Sequence, residues 1–273
     1  MERIATRFTC PICGHKLFFA PNERRYNCDG MHSFDRARSG YVNLLISQKG
    51  GDHGDNREMT LARKKFLDGG YYEPLRLALC EEIKAKLSDG AAILDAGCGE
   101  GYYTEGIMKA LPNADVYGID ISKSALSLIG QREHRPTSAV ASVYHLPFGA
   151  EEFDAAASVF SPFAREEFLR VLKPHGMIFS VIPSRRHLFG LKSAIYDTPY
   201  ENEIAPYEIN GFEFIRKREL SYTLTLDSSE KIDALFKMTP YCYRTSSVGR
   251  ERVAALDRLE TEIGFEILMY KKK

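Results

Sequence analysis

From residue 91 onward, the hydrophobic positions follow two periods in alternation, which predicts strands and helices in turn. Apolar runs typical of buried strands are AAILDAG, ADVYGID, SAVAS, FDAAASVF and MIFSVI. Helical patterns lie between several of them: YTEGIMKAL, SKSALSLIGQ and AREEFLRVL. Strands that alternate with short helices are typical of a parallel, doubly wound α/β sheet. Two further runs, SYTLTL at 221–226 and IGFEILMYK at 263–271, bring the predicted sheet to seven strands.

Three other segments lie outside this alternation of strands and helices. Residues 58–70 begin as an amphipathic helix, with Met59 and Phe66 on its apolar side, and end at two glycines. A Lys-Pro-His-Gly run at 173–176 predicts a turn before the fifth strand. Residues 184–220 hold a basic helical run, RRHLFGLKSAIY, and an acidic stretch outside the minimal fold. This insertion fits either a substrate-recognition element or an inert elaboration.

The first forty residues have too few apolar positions for a core of their own, but they contain two pairs of metal-ligand residues. Cys10 and Cys13 form a C-x2-C pair, and Cys28 and His32 form a C-x3-H pair further along. Two such knuckles bring four ligands onto a tetrahedral zinc ion, which would replace the missing core. His15 is a weaker candidate for the fourth ligand because it lies too close to Cys13 in sequence. A buried cysteine cluster without metal is the alternative.

The sequence between the cysteine region and the first long helix predicts a domain boundary. Residues 47–57 read SQKGGDHGDNR, which is rich in glycine and polar residues and has no apolar periodicity. We therefore expect a small zinc-binding domain at 1–46, a flexible linker at 47–57 and a larger α/β domain at 58–273.

The composition is that of an ordinary globular protein. Of 273 residues, 44% are hydrophobic and 27% are charged, and the formal net charge is zero, so the whole chain is not a nucleic-acid polyelectrolyte. Residues 1–70 hold 12 Lys and Arg against 8 Asp and Glu, which fits either a solvated surface or an RNA-facing patch. No run is long and apolar enough to span a membrane, and no signal peptide is evident, so we expect a cytoplasmic protein.

The most informative run is LDAGCGEGYYT at 94–104, a strand that ends in an acid and leads through glycines into a helix. Gly97 and Gly99 allow the backbone to turn tightly and to approach a ligand, and the following helix offers unpaired N–H groups. A dinucleotide fold would place its third glycine one residue later, at the spacing G-x-G-x-x-G. The observed spacing therefore argues against a nicotinamide oxidoreductase.

Acidic residues around this loop indicate a cationic ligand. Glu100 lies inside the turn, Asp95 ends the strand before it, and Asp120 ends the next strand, where it is placed to accept both ribose hydroxyls. S-adenosylmethionine carries an ammonium and a sulfonium rather than a pyrophosphate. The run resembles the D-x-G-x-G-x-G loop of class I methyltransferases, which implies a Rossmann-like seven-stranded sheet.

Methyl transfer from a sulfonium is an in-line displacement, so the protein mainly aligns the two reactants about 3 Å apart and excludes water. Reactive side-chain triads are not required. Ser142, near His145, stands where many class I methyltransferases carry an Asp, and we predict that it reaches the adenine amino edge. A loop that simply packs through the neighbouring Leu-Pro-Phe is compatible with that role.

A second candidate site follows the fourth strand. The run Phe160-Ser161-Pro162-Phe163 stands where amino-directed methyltransferases often carry a polar residue, a proline and an aromatic residue. We predict that Phe160, Ser161 and Pro162 position the base, with backbone carbonyls on its edge and Phe160 or Phe163 stacked on it. A core turn with buried phenylalanines is the alternative.

The combination of motifs resembles the bacterial large-subunit ribosomal RNA guanine-N1 methyltransferases over nearly the whole chain. The resemblance rests on the segments before the glycine loop as well as on the loop itself. They are the C-P-x-C knuckle, Phe34 to Leu45, Gly54 to Arg63, Phe66 to Gly70, Tyr72-x-Pro-Leu75, Leu94 to Thr104, Pro183 to Leu188 and Met238-Thr239-Pro240. The chain departs from the family at Phe163, where the family has a Cys.

The resemblance implies two ligands and a macromolecular substrate. It implies Zn2+ at Cys10, Cys13, Cys28 and His32, in a domain at 1–46 that recognises RNA, and it makes 58–273 the S-adenosylmethionine-dependent methyltransferase domain. It also implies S-adenosylmethionine contacts that include Tyr72, Gly99, Glu100 and His187. The substrate would be one guanine in a hairpin of the large-subunit ribosomal RNA, bound in a cleft that the zinc domains of a homodimer help to form. Members divide by which of two nearby guanines they modify, and methylation bears on the action of macrolide-type antibiotics.

Other functions stay open at this point. The fold would also serve a zinc-containing methyltransferase that acts on another RNA or on a small molecule. A non-catalytic, zinc-dependent RNA-binding protein is a third possibility, although the intact Asp95, Gly97, Gly99 and Asp120 argue against it. Guanine N1 must lose a proton before it attacks, and no residue declares itself as the acceptor.

Overall fold

A computed structural model describes residues 3–46 and 54–273. The strands are β1 (Ile4–Thr9), β2 (Lys16–Ala20), β3 (Arg25–Cys28), β4 (Ser33–Asp35), β5 (Val42–Asn43), β6 (Ala92–Ala96), β7 (Asp115–Asp120), β8 (Thr137–Val140), β9 (Phe153–Val159), β10 (Leu172–Pro183), β11 (Phe212–Leu226) and β12 (Leu259–Lys272). The helices are α1 (Arg57–Asp68), α2 (Glu73–Lys86), α3 (Tyr102–Ala110), α4 (Lys123–Ile129), α5 (Arg165–Val171), α6 (Phe189–Ile195), α7 (Ser229–Lys237), α8 (Tyr241–Arg244) and α9 (Ser247–Ala254).

The central sheet confirms the predicted doubly wound class I methyltransferase fold and adds one strand to it. Its order is β11-β12-β10-β9-β6-β7-β8-β5, with parallel pairing from β10 to β5 and antiparallel pairing of β12 with both neighbours. The seven predicted strands are all present. The eighth, β5, is only two residues long and pairs Val42 with Ala139 at the edge of the sheet. A two-residue strand carries no periodicity, which is why the sequence did not reveal it.

Two connections differ from the predicted pattern. The run at 173–176 does not separate α5 from β10 but lies inside β10, where the register against β9 shifts between Leu172 and Met177 and His175 adopts φ +63°. The extra residues are accommodated as a bulge in the strand. The run does interrupt the regular backbone, as predicted. The prediction that it separates the helix from the strand was wrong, because the interruption lies inside the strand.

The basic helix of the insertion is also shorter than its sequence pattern. It begins at Phe189 rather than at Arg185, because Leu188 adopts a left-handed conformation with φ +60° and the residues before it form a turn. The amide of His187 donates to the carbonyl of Ser184 in that turn. This places His187 on the loop after β10, at the carboxyl edge of the parallel strands.

The cysteine-rich region folds as a small antiparallel sheet, β1-β2-β3-β4, that shares its core with the larger sheet. Phe8 is fully buried and packs against Tyr117 and Phe148, with ring centroids 5.2 and 5.3 Å apart. The backbone amide of Arg7 donates to the hydroxyl of Tyr117 at 3.0 Å. The shared core explains how so few apolar residues suffice in this segment.

The predicted boundaries at 46 and 57 stay predictions. Residues 47–53 of the predicted linker lie outside the described residues, whereas 54–56 run along the carboxyl edge of the large sheet into α1. The hydroxyl of Ser122 donates to the carbonyl of Asp55 at 2.7 Å and holds that segment in place. In the described part of the chain, no helix has the length and apolar composition needed to cross a membrane.

Candidate active site and metal cluster

The four predicted metal ligands lie together at one end of the small sheet. The ligand atoms of Cys10, Cys13, Cys28 and His32 are all within 4.8 Å of one another. The Cys13 and Cys28 sulfurs are 3.6 Å apart, and His32 Nδ1 lies 3.6 Å from Cys10 Sγ and 3.5 Å from Cys28 Sγ. A tetrahedral zinc ion with bonds of about 2.0 to 2.3 Å needs edges of roughly 3.5 to 3.8 Å. The ligand types suit Zn2+, and the three distances given above match the edges of a tetrahedral site.

His15 lies beside this cluster but outside the four-atom set. Its Nδ1 is 3.6 Å from Cys13 Sγ. The set whose members are all mutually close is completed by His32, as the spacing argument predicts.

The glycine loop is built at the carboxyl end of β6, where the chain turns into α3. Gly97, Gly99 and Gly101 all have positive φ, at +89°, +56° and +89°. A methyl group on Gly97 would overlap the side chain of Ser161, so this position requires glycine for space as well as for conformation. The loop after β9, which carries Ser161, consequently packs directly on the glycine loop.

Asp120 fixes the far side of this loop. Its Oδ2 accepts from the amide of Gly99 at 2.8 Å, and its Oδ1 accepts from the amide of Ser122 at 2.7 Å. Burial raises the pKa of this carboxyl. The predicted ribose acceptor therefore lies at the carboxyl edge of the sheet, beside the glycine loop, as its position in the sequence suggests.

Asp95 provides a direct test of whether a cationic cofactor fits. The residue is 1% exposed, and its Oδ2 accepts from the hydroxyl of Thr104 at 2.5 Å, whereas Oδ1 is buried without a hydrogen-bond partner among the described residues. Burial raises the pKa of Asp95 to about 7, and the neighbouring Asp120 and Glu100 raise it further in the same direction. A buried acceptor without a donor is costly. An ammonium such as that of S-adenosylmethionine fits this position.

Glu100 is also in the loop, but its side chain turns away from it. The residue is 2% exposed and its carboxylate pairs with Arg132, which also donates to Asp68 at 2.7 Å. Burial raises the pKa of Glu100, and the Arg132 guanidinium opposes that shift. The carboxylate thus ties the loop to α1. The predicted contact of Glu100 with the cofactor stays a prediction.

Tyr72 and His187 come together although 115 positions separate them. Tyr72 Oη and His187 Nε2 are 3.3 Å apart, and both side chains are buried. The amide of Gly264 donates to His187 Nδ1 at 3.3 Å, and burial lowers the pKa of His187 to about 3. The imidazole is therefore neutral with its proton on Nε2, from which it donates to Tyr72. The phenol hydrogen of Tyr72 is left for another acceptor.

The predicted base-positioning residues occupy the loop after β9. Phe160 is 45% exposed with φ +54°, and Ser161 Oγ donates to the carbonyl of Ala96 at 2.5 Å. Pro162 is exposed. Phe163, the other predicted stacking residue, instead packs edge-on against Tyr270 and other rings of the core. Of the two phenylalanines, Phe160 is therefore the one available to a base.

Ser142 lies just after β8, at the same edge of the sheet. Its Oγ accepts from the amide of Tyr144 at 3.2 Å, and its carbonyl accepts from the amide of His145 at 3.0 Å. Its predicted contact with adenine stays a prediction. His145 itself is exposed.

Sequence reasoning missed three residues of this region. Phe265 lies at the centre of the aromatic group, with its ring centroid 4.9 Å from Tyr72, 4.8 Å from His187 and 5.5 Å from Phe160. The hydroxyl of Tyr103 is buried without a partner among the described residues. Of these three residues, Gly264 alone could have been predicted from the sequence, since a glycine inside a strand often marks the close approach of another segment.

Two family models match the chain. The model described as "Methyltransferase domain" matches residues 93–176, which hold the glycine loop and the parallel strands β6 to β9. The model described as "RlmA, N-terminal", a zinc ribbon, matches residues 8–50, which hold the four clustered ligands.

Relatives of known description match nearly end to end. A putative 23S rRNA (guanine-N1)-methyltransferase of Bacillus subtilis is 33% identical over 265 residues, covering 93% of this chain and 92% of its own length. A protein of the same description from Micromonospora griseorubida is 32% identical and covers 90% of each chain. The 23S rRNA (guanine(748)-N1)-methyltransferase of Streptomyces fradiae is 32% identical, covering 83% of this chain and 82% of its own.

Proposed function

The chain belongs to the 23S rRNA (guanine-N1)-methyltransferase family, and on this premise we propose that it methylates N1 of one guanine in a hairpin of large-subunit ribosomal RNA. The observation that carries the proposal is that a candidate cofactor site and a candidate base-stacking residue lie next to each other at one edge of the sheet. The glycine loop with the unpartnered Asp95 oxygen fits a cationic methyl donor, and an exposed Phe160 stands next to it.

S-adenosylmethionine, when bound, supplies an electrophilic methyl group on a sulfonium. Asp95 offers an acceptor to its ammonium, Asp120 lies where its ribose hydroxyls are expected, and Tyr72 has a phenol hydrogen to donate. The main-chain amides that open α3 complete the polar lining. These groups orient the donor, which is the larger part of catalysis in an in-line displacement.

The base is held from the opposite side of the loop. Phe160 is exposed and offers a ring face on which an extruded guanine can stack. Ser161 fixes the place of that ring, because its hydroxyl is bonded to the carbonyl of Ala96 at the end of β6. The two loops are thereby held in register, so the distance between the methyl donor and the base is set by the sheet.

The guanine N1 proton must leave before or during the transfer. His187 is unsuited to accept it, since its Nδ1 already accepts from Gly264 and its Nε2 carries a proton. We therefore assign the role of proton acceptor to a group other than His187.

The zinc site has a structural role in this proposal. The four ligands stabilise the small sheet, whose residues Phe8 and Arg7 dock on the large one. We propose in addition that the enzyme is a cytoplasmic homodimer whose zinc-bearing segments line the RNA cleft and that its product bears on macrolide-type antibiotics. The family resemblance and the cationic excess of residues 1–70 support this part of the proposal.

The direct test is transfer of a labelled methyl group to transcribed large-subunit ribosomal RNA, followed by digestion to nucleosides. The proposal expects label in 1-methylguanosine and in no other nucleoside. Label in a different methylated nucleoside, or methylation of a small molecule but not of RNA, would overturn it.

A further inference from the structure

The hydroxyl of Tyr103 is a buried polar group to which the mechanism above gives no role. Three buried side-chain oxygens lack a hydrogen-bond partner within residues 3–46 and 54–273, and two of them flank the glycine loop in the sequence. One is Asp95 Oδ1, which the proposed function assigns to the ammonium of S-adenosylmethionine. The other is Tyr103 Oη. A buried hydroxyl without a partner is costly, so its presence beside a binding loop requires an explanation.

Tyr103 is held close to the cofactor loop. It is the second residue of α3, which begins directly after Gly101. The next residue, Thr104, donates to Asp95 Oδ2 at 2.5 Å and thereby fixes the first turn of α3 against the end of β6. The Tyr103 side chain is buried, and its ring centroid lies 6.4 Å from that of Phe160. It therefore lies at the same edge of the sheet as Asp95 and the candidate base-stacking residue.

Tyr72 offers a second phenol hydrogen in the same aromatic group. The Phe160 and Phe265 rings are 5.5 Å apart, and Phe265 is 4.9 Å from Tyr72. Tyr72 Oη accepts from Nε2 of His187, which strengthens the phenol as a donor. In the part of the chain that the structure describes, the hydrogens of Tyr72 and Tyr103 both lack an acceptor.

Both hydroxyls keep their hydrogens at neutral pH. Burial raises the pKa of each tyrosine well above its ordinary value, and the nearby Tyr72 raises the pKa of Tyr103 further. The Arg63 guanidinium opposes the shift of Tyr72, so a positive charge is also close to this pair. Two protonated phenols near a cation are suited to an anionic acceptor.

The other tyrosine hydroxyls around Tyr103 already have acceptors. Tyr102 donates to the carboxylate of Glu73 at 2.9 Å, and Tyr222 donates to the carbonyl of Tyr71 at 2.6 Å. The unused donors are therefore those that lie with the cofactor loop, rather than a general feature of the tyrosines in this region.

The chemistry of the cofactor supplies the missing acceptor. The anionic group of S-adenosylmethionine is a carboxylate, and it is bonded to the same carbon as the ammonium. When the ammonium lies on Asp95, the carboxylate is necessarily close to that residue and to the first turn of α3. We propose that Tyr103, together with Tyr72, donates a hydrogen bond to the carboxylate of the cofactor. This inference rests on the proposed function for the identity of the cofactor and requires no RNA.

Calorimetric titration with two ligands provides the test. The ligands are S-adenosylmethionine and decarboxylated S-adenosylmethionine, which keeps the ammonium and lacks the carboxylate. Tyr103→Phe should bind S-adenosylmethionine roughly tenfold more weakly than the wild-type protein, because a hydrogen bond to a charged group is lost. Its affinity for the decarboxylated ligand should change by less than about twofold, since that ligand has no acceptor to lose.

Tyr102→Phe is the matched control, because it removes the same atom from the neighbouring residue. It should leave the ratio of the two affinities as in the wild-type protein. Urea unfolding without cofactor separates the two hydroxyls in a second way. Tyr103→Phe should unfold at an equal or higher urea concentration than the wild-type protein, whereas Tyr102→Phe should unfold at a lower one because its bond to Glu73 is lost.

Three results would overturn the assignment of Tyr103. They are equal weakening of both ligands by Tyr103→Phe, unchanged affinity for S-adenosylmethionine, and a loss of stability in the free variant, which would show that the hydroxyl is already bonded. A wild-type protein that binds neither ligand would instead contradict the proposed function. The expected binding pattern without methyl transfer to RNA would count against the proposed substrate and support the role of Tyr103.

Discussion

The amide of Gly264 donates to Nδ1 of His187 at 3.3 Å, so a glycine in β12 determines which nitrogen of a buried imidazole carries the proton. A side chain on Gly264 would overlap the hydroxyl of Ser184, in the loop that carries His187. Glycine at this position therefore lets the strand and the loop approach closely. The consequence is that Nε2 of His187 is a donor to Tyr72, whose own hydrogen is directed elsewhere.

This arrangement makes His187 a measurable source of acid instability. Burial lowers the pKa of His187 to about 3, whereas an unfolded histidine titrates near 6.5. A histidine whose pKa is lowered by folding contributes its full share of the unfolding free energy above the pKa of the unfolded state. That share is lost as pH falls from about 6.5 toward 3. Between pH 7.5 and pH 5, the wild-type protein should lose up to about 2 kcal/mol more unfolding free energy than His187→Gln.

Urea unfolding of both proteins at the two pH values measures this difference. Protonation of the cysteine cluster and of surface groups is common to both and cancels in the comparison. Equal losses in the two proteins would show that His187 is accessible to protons in the folded state, contrary to the geometry described above.

Asp95 should behave in the opposite way, because its pKa is raised to about 7 by burial. A carboxyl group whose pKa is raised by folding does not lower the unfolding free energy at pH values below the pKa of the unfolded state, about 3.8. It lowers the unfolding free energy progressively as pH rises from there toward 7. Asp95→Asn keeps the shape and an acceptor for Thr104. Without cofactor, the variant should be more stable than the wild-type protein by about 1 kcal/mol or more at pH 8, with a smaller advantage at pH 5.

The same substitution should weaken S-adenosylmethionine binding by roughly tenfold or more, since a charged acceptor is lost. Denaturation at the two pH values and calorimetric titration with the cofactor measure both effects. A variant that binds the cofactor normally would contradict the role given to Asp95, whatever its stability.

The contact between Gly97 and Ser161 makes a third prediction. Gly97→Ala adds a methyl group that overlaps Ser161, and it places alanine at φ +89°. We expect cofactor affinity to fall more than tenfold, because the loop must shift and the strained conformation alone costs about 1–2 kcal/mol. The double variant with Ser161→Gly relieves the overlap and leaves the strain, so it should recover only part of the loss. A double variant no better than Gly97→Ala would place the cost entirely in the backbone conformation.

The metal cluster predicts which histidine is the ligand. The purified protein should contain one zinc ion per chain, and His32→Ala should lose most of it, whereas His15→Ala should retain it. Metal analysis after gel filtration measures the content, and Cys242→Ser controls for loss of a thiol outside the cluster. Loss of zinc in His15→Ala with retention in His32→Ala would reverse the assignment.

The sequence predicted those parts of the molecule in which a few neighbouring residues decide the structure. The glycine loop and both cysteine knuckles are such cases, and each pair of knuckle ligands is separated by only two or three residues. Asp95 and Asp120 were predicted as neighbours from the sequence, and they lie at the same edge of the sheet because β6 and β7 are parallel.

What the sequence did not show depends on long-range packing. Glu100 was correctly placed in the loop, but its carboxylate is held by Arg132, a partner that local spacing does not indicate. Phe265 belongs to the last strand and reaches Tyr72 across the whole domain. The pairing of Val42 with Ala139 likewise requires the small sheet to have docked, which no periodic pattern records.

The central claim is that this chain methylates N1 of a guanine in the large-subunit ribosomal RNA. Primer extension on ribosomal RNA from a deletion strain tests it most directly, because N1 methylation blocks base pairing and stops the polymerase. The account predicts one stop in a hairpin of the large-subunit RNA that is absent in the deletion strain, returns with the wild-type gene and does not return with Gly97→Ala. Identical stops in the large-subunit RNA with and without the gene would contradict it.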